Sequence, residues 1–150
     1  MPRHLSLALV LAAISISTGL AFAAAAPAKA SKDVYYSFRM PSKNIFCAYV
    51  SFSGEPRHLR CDIYSGIKPR PPKSSNPECR TGKSVGVNAT GKASYLCVSD
   101  SVYNERARVL EYGTSWNRGG FSCRSRKAGL TCKNRSSHGF FLSRERSYLF

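Results

Sequence analysis

Residues 121–134 read FSCRSRKAGLTCKN, and a single fold of this stretch suits every side chain in it. Turning the chain at Lys127 and Ala128 sets Cys123 opposite Cys132 and Ser125 opposite Leu130. Successive strand residues point to opposite faces, so Phe121, Cys123, Leu130 and Cys132 fall on one side, and Arg124, Arg126, Thr131 and Lys133 on the other. A slip of one residue would bury three cations and expose the apolar set, which costs several kcal/mol. The stretch therefore predicts a β-hairpin with one core side, one cationic side and a disulfide across it.

The same design occurs earlier, in FCAYVSFSGEPRHLRCDI at residues 46–63. A hairpin about Gly54 places Cys47 opposite Cys61, Tyr49 opposite Leu59, and Ile45 opposite Ile63, so one register aligns a disulfide with an apolar stripe. Of the six cysteines, Cys79 and Cys97 remain, and they are paired with each other. This sequential connectivity is favoured by register among those open to six cysteines. No C-x-x-C knuckle is present, so disulfides are expected rather than a metal site, and no cofactor is implied.

Working outward, short apolar or alternating runs between turn residues recur along the chain, with hardly any helical period. Strands are expected at 34–39, 45–50, 59–63, 84–87, 93–98, 108–112, 120–125, 129–134 and 139–143. The predicted fold is all-β: a small sandwich or meandering barrel of antiparallel hairpins stapled by three disulfides. The ending SRERSYLF leaves room for a short C-terminal helical turn with Ser143 as its cap. Residues 65–80, SGIKPRPPKSSNPECR, hold prolines that cannot donate to a ladder, so this segment is expected as a basic, extended surface loop.

The N-terminus orders Arg3 and His4, an apolar run from Leu5 to Ile14, and small residues ending AFAAAAPAKA, the layout of a secretory signal peptide. The expected organisation is a signal peptide over 1–23, a flexible N-terminal segment over 24–33, and a single disulfide-stapled β domain over 34–150. No later stretch is long and apolar enough to span a bilayer, so a secreted or extracytoplasmic location (periplasm, cell wall or medium) is expected.

Charge narrows the partners. The chain has 23 Lys and Arg against 8 Asp and Glu, a net +15, and loss of Arg3 with the leader would leave +14. From Arg118 onward eight cations face Glu145 alone, which is half of that charge in the last stretch. Such a balance favours anionic partners: wall polymers, lipid head groups, polysaccharide or extracellular nucleic acid. No nucleic-acid-binding module signature is present. The candidate polyanion-binding residues are Arg124, Arg126, Lys133 and Arg135, beside exposed aromatics such as Tyr148.

The segments FRMPSKNIFCAY, LRCDI, VLEYGTSW, GGFSC, GLTCKN and HGFFLS together resemble a family of small secreted bacterial disulfide-containing domains of unknown function. The resemblance runs from about Val34 to Phe150 and is most specific in the MPS-x-N-I-x-C opening and the GLTC-x-N to HGFFLS ending. It implies an exported β-rich domain and supplies no catalytic residue. Two places depart from the pattern: Glu111, where a proline is usual before Tyr-Gly, and Thr81 and Lys83 around Gly82, where a Trp-Gly pair is common.

No catalytic residue is assigned. His138 lies in NRSSHG, between two expected strands, and reads as a turn residue. A small secreted hydrolase, nuclease-like and using His138 with His58 and Lys133, is the alternative; no G-x-S-x-G elbow or other positional signature supports it. Asp62, Asp100, Glu78 and Glu105 lack paired spacing and read as ion-pair partners. Trp116 reads as core before sugar-stacking platform. A third reading is an interaction or inhibitor module presenting the 68–77 loop. The sequence thus favours a non-enzymatic extracytoplasmic domain that contacts anionic polymers or lipids.

Overall fold

The computed structural model describes residues 33–76, 79 and 82–150. The signal peptide and residues 24–32 of the N-terminal segment lie outside the described residues, as does Glu78. The described chain is all-β, with no helix. The strands are β1 (Val34–Arg39), β2 (Ile45–Ser51), β3 (His58–Ile63), β4 (Ser84–Asn88), β5 (Ser94–Tyr95), β6 (Arg108–Val109), β7 (Ser115–Arg118), β8 (Phe121–Arg126), β9 (Gly129–Lys133), β10 (Gly139–Leu142) and β11 (Ser147–Leu149). They form a six-stranded sheet ordered β5-β4-β3-β2-β1-β6 and a five-stranded sheet ordered β11-β10-β9-β8-β7. All pairings are antiparallel except β1 with β6.

One hydrophobic core lies between the sheets, the sandwich form of the expected architecture. The first sheet contributes Phe38, Cys47, Leu59, Cys61, Ile63 and Val85, and the second contributes Phe121, Cys123, Leu130, Cys132, Phe140 and Leu142. Aromatic rings join the two sheets at one point. Trp116 on β7 lies 5.7 Å from Tyr36, 5.1 Å from Phe38 and 5.8 Å from Tyr49, ring centre to ring centre, so it is a packing residue. Tyr49 also rests against Gly119, where any Cβ would meet its ring.

Both hairpins adopt the expected register. Cys47 faces Cys61, with Ile45 opposite Ile63 and Tyr49 opposite Leu59. Cys123 faces Cys132, with Ser125 opposite Leu130. The three disulfides are Cys47–Cys61, Cys79–Cys97 and Cys123–Cys132, as expected.

Two of the most specific sequence segments owe their asparagines to tethering. In MPSKN the turn between β1 and β2 puts Lys43 at φ 53°, and the buried Asn44 accepts from Ser65 N–H at 2.9 Å and donates to Ser65 Oγ at 3.1 Å. In GLTCKN the buried Asn134 donates to the carbonyls of Asn88 and Gly91 at 2.9 and 2.7 Å, and its Oδ1 accepts from Ser136 and His138 N–H. Each asparagine supplies hydrogen-bond partners to backbone groups that no ladder reaches.

Four expectations change. The strand β7 replaces an expected connection: Gly119 and Gly120 both have positive φ, 59° and 99°, and form the two-residue turn that pairs Arg118 with Phe121. The C-terminal helical turn is absent. Ser143 Oγ accepts from Glu145 and Arg146 N–H and donates to the Arg146 carbonyl, closing a tight turn, and Ser147–Leu149 then pairs with β10. The expected strand at 93–98 is reduced to Ser94–Tyr95, and that at 108–112 to Arg108–Val109. The first gives way to residues 97–107, which leave the sheet edge and cross its outer face, where their polar groups find partners, and the second runs into a turn in which Thr114 N–H bonds to the Glu111 carbonyl.

Candidate functional site

The sandwich leaves two outer faces, and their cations are in opposite circumstances. On the first sheet Arg60 forms ion pairs with Asp62 at 2.9 Å and with Asp100 at 2.7 Å. The crossing segment is anchored there. Arg60 also donates to the Asp100 carbonyl, Val102 N–H donates to Asp62, Asn104 donates to Ser37, and Arg39 donates to the Glu105 carbonyl. Burial opposes the Arg60 charge, yet the hydrogen bonds to the two aspartates outweigh it and hold the guanidinium above its ordinary range. The hydrogen bond from Arg60 holds the Asp100 carboxyl below its usual value. Phe46, Tyr64 and Tyr103 add an aromatic cluster, and Tyr103 donates to Glu105, which raises the phenol's pKa. Asp62 and Asp100 are thus ion-pair partners, as expected for acids in so basic a chain.

On the second sheet Arg124, Arg126, Lys133 and Arg135 are all exposed, while Phe121, Cys123, Leu130 and Cys132 are buried. Arg124 sits between Ser115 and Thr131, and Lys133 between Ser122 and Gly139, so the neighbours on that face are small or hydroxylated. Arg135 lies outside the strands and folds over Gly120, whose missing Cβ makes room for it. None of the four has a carboxylate partner among the described residues.

The same face carries aromatic side chains that the sequence placed only in part. Phe141, Tyr148 and Phe150 form a ridge: Phe141 and Tyr148 stack at 5.2 Å, and Tyr148 and Phe150 lie 6.3 Å apart. The Arg146 guanidinium sits 5.5 Å from the Phe141 ring centre and 5.8 Å from that of Tyr148. Phe141 covers Gly129, a position with no room for a Cβ. The signal for this ridge was the alternation Ser147, Tyr148, Leu149, obscured by reading the segment as a helical turn.

His138 is a turn residue. Its N–H bonds to Asn134 Oδ1 at 3.1 Å and its carbonyl accepts from Asn134 N–H at 2.9 Å, and no ring hydrogen bond involves it among the described residues. His58 bonds through Nδ1 to Asn88 Oδ1 at 2.8 Å on the first sheet. No hydrogen bond joins either histidine to Lys133. Among the described residues no three His, Cys, Asp or Glu gather as a metal site, and no helix is long and apolar enough to cross a membrane.

A concave feature lies at the flank of the first sheet, between the proline-rich loop and residues 98–101. It is open to solvent, has a volume of about 920 Å³ and is lined by Lys68, Arg70, Lys73 and Lys83 together with Tyr64 and Asp100.

No curated protein and no solved structure matches the chain. The motifs that carry the resemblance, MPSKNIFC, GLTCKN and HGFFLS, are those whose asparagines, cysteines and apolar residues build the two stapled hairpins and their tethers. Residues 12–150 match as a unit, and the chain belongs to a family of unknown function (DUF6636).

Proposed function

We propose that this protein is an extracytoplasmic, non-enzymatic domain that binds anionic polymers through the outer face of its second sheet. The observation that carries the reading is the contrast in neutralisation: Arg60 is held by two aspartates, whereas Arg124, Arg126, Lys133 and Arg135 have no acidic partner among the described residues. Four unneutralised cations on and beside one sheet raise the local potential and attract phosphate or sulfate chains. The Phe141–Tyr148–Phe150 ridge beside them offers ring faces to whatever apolar groups the polymer carries. Three disulfides suit an oxidising compartment.

The test is binding of polyphosphate and dextran sulfate at several salt concentrations. Replacing Arg124, Arg126 and Lys133 together by Gln should weaken binding and lower the log-log salt slope by about 0.7 for each lost contact if the polymer behaves like a single strand. A triple variant that binds as its parent does would overturn the proposal. So would a parent that shows no salt-dependent binding to either polymer.

A further inference from the structure

We infer that the cleft beside the proline-rich loop is a second, separate binding site, for an anionic saccharide of about disaccharide size. Two of its walls are tied to each other and a third is anchored to the sheet. Residues 63–68 are tied to 82–83 by Ile63 N–H to the Lys83 carbonyl at 2.8 Å and Ile67 N–H to the Gly82 carbonyl at 2.7 Å. The third wall, residues 98–101, is held by Arg60 through Asp100 and by the Cys79–Cys97 bond.

Lys68, Arg70, Lys73 and Lys83 line this space, and none has a carboxylate partner among the described residues. The two acids of the lining, Asp62 and Asp100, are already engaged by Arg60. A concave wall of cations focuses positive potential more strongly than a flat one. The remaining lining is rich in groups that suit sugar hydroxyls: Ser65, Ser74, Ser99 and Ser101. Tyr64 is 46% exposed and lines the cleft, with the Lys83 ammonium over its ring 6.0 Å from the centre. Small-molecule sites span roughly 300–1,000 Å³, and at about 920 Å³ this open cleft has room for a disaccharide. Charge, hydroxyl partners, an aromatic ring and volume agree on one ligand chemistry, a hydroxylated molecule carrying phosphate or carboxylate.

The probes are digalacturonate and sucrose 6-phosphate, which separate carboxylate from phosphate sources, with maltose as the neutral control. Calorimetry on the oxidised protein should detect at least one anionic probe and no maltose. Amide shifts on titration should fall in residues 64–76, 82–84 and 98–101. In the double variant Arg70→Gln, Lys83→Gln the dissociation constant should rise about tenfold or more, the loss expected for charge-assisted hydrogen bonds. The triple Gln variant of Arg124, Arg126 and Lys133 should bind the same probe as the parent does. No binding of either anionic probe, equal binding of maltose, or shifts confined to residues 122–133 would overturn the inference. The shift map does so even if the double variant folds poorly, and it separates failure here from failure of the polymer-binding face.

Discussion

The two disulfide hairpins, β2–β3 and β8–β9, share a plan and differ in what covers them. Each carries a cross-strand cystine pointing into the core, and each places basic residues on the opposite face. On β3 the cation Arg60 is embraced by Asp62 and by Asp100 from the segment 97–107, which roofs that face. On β8 and β9 the cations Arg124, Arg126 and Lys133 stand in solvent with no roof. The difference teaches that the same strand chemistry serves structure where a carboxylate is supplied, and is left free for an outside anion where it is not.

The strongest way to break this contrast is to remove the carboxylate. Asp62→Ala removes one of the two carboxylates on Arg60 and the acceptor of Val102 N–H, so unfolding free energy should fall by about 3 kcal/mol. A denaturant midpoint close to that of the parent would show that the roof is not held as described. Next comes the pair of staples. Replacing Cys47 and Cys61, or Cys123 and Cys132, by Ala should cost about 3 kcal/mol each in the chain-entropy account, since the sequence separations are 14 and 9. Mild reduction followed by alkylation and mass mapping sharpens the point: Cys97 is exposed, whereas Cys47, Cys61, Cys123 and Cys132 are 0% exposed, so Cys79–Cys97 should open first.

A smaller effect should follow acidification. The folded pKa of Asp100 lies below its ordinary value of 3.8 because Arg60 bonds to its charged form. A depressed carboxylate contributes stability above its unfolded pKa and loses it as pH falls through the folded one. The amide protection factors of residues 98–103 should therefore fall below about pH 4, and Asp100→Asn should show the lower protection already at neutral pH. Equal protection in variant and parent at neutral pH would remove Asp100 from the roof. Least affected should be the open face: the triple Gln variant of Arg124, Arg126 and Lys133 should stay within about 0.5 kcal/mol of its parent in thermal or denaturant unfolding. A larger loss would mean that those cations have internal partners and that the two faces are alike.

Much of this contrast was legible in the chain. Cys123 and Cys132, with Leu130 on the same face of β9, admit one register that keeps three cations out of the core, and Cys47 and Cys61 repeat the argument. Strand ends were less legible where pairing runs out at an edge, as at Ser94–Tyr95 and Arg108–Val109. Gly119-Gly120 was itself a hairpin signal that pointed to β7, but the polar run SWNR concealed the strand before it. Ser143, expected as a helix cap, caps no helix: its bonds to the Glu145 and Arg146 N–H groups close a turn, which such bonds do as readily as they start a helix.

By itself, then, the sequence determined what depends on neighbours and alternation: the all-β class, the two hairpin registers, the disulfide partners and the outward direction of Arg124, Arg126 and Lys133. Only the tertiary structure decided which cations are neutralised. Arg60 and Asp100 are far apart in the chain, as are Phe141 and Gly129 on the aromatic ridge, and the walls of the cleft come from three separate segments. Local periodicity constrains the direction of a side chain, whereas its counter-ion depends on where distant segments cross the sheet, and that crossing is set by the packing of the whole core.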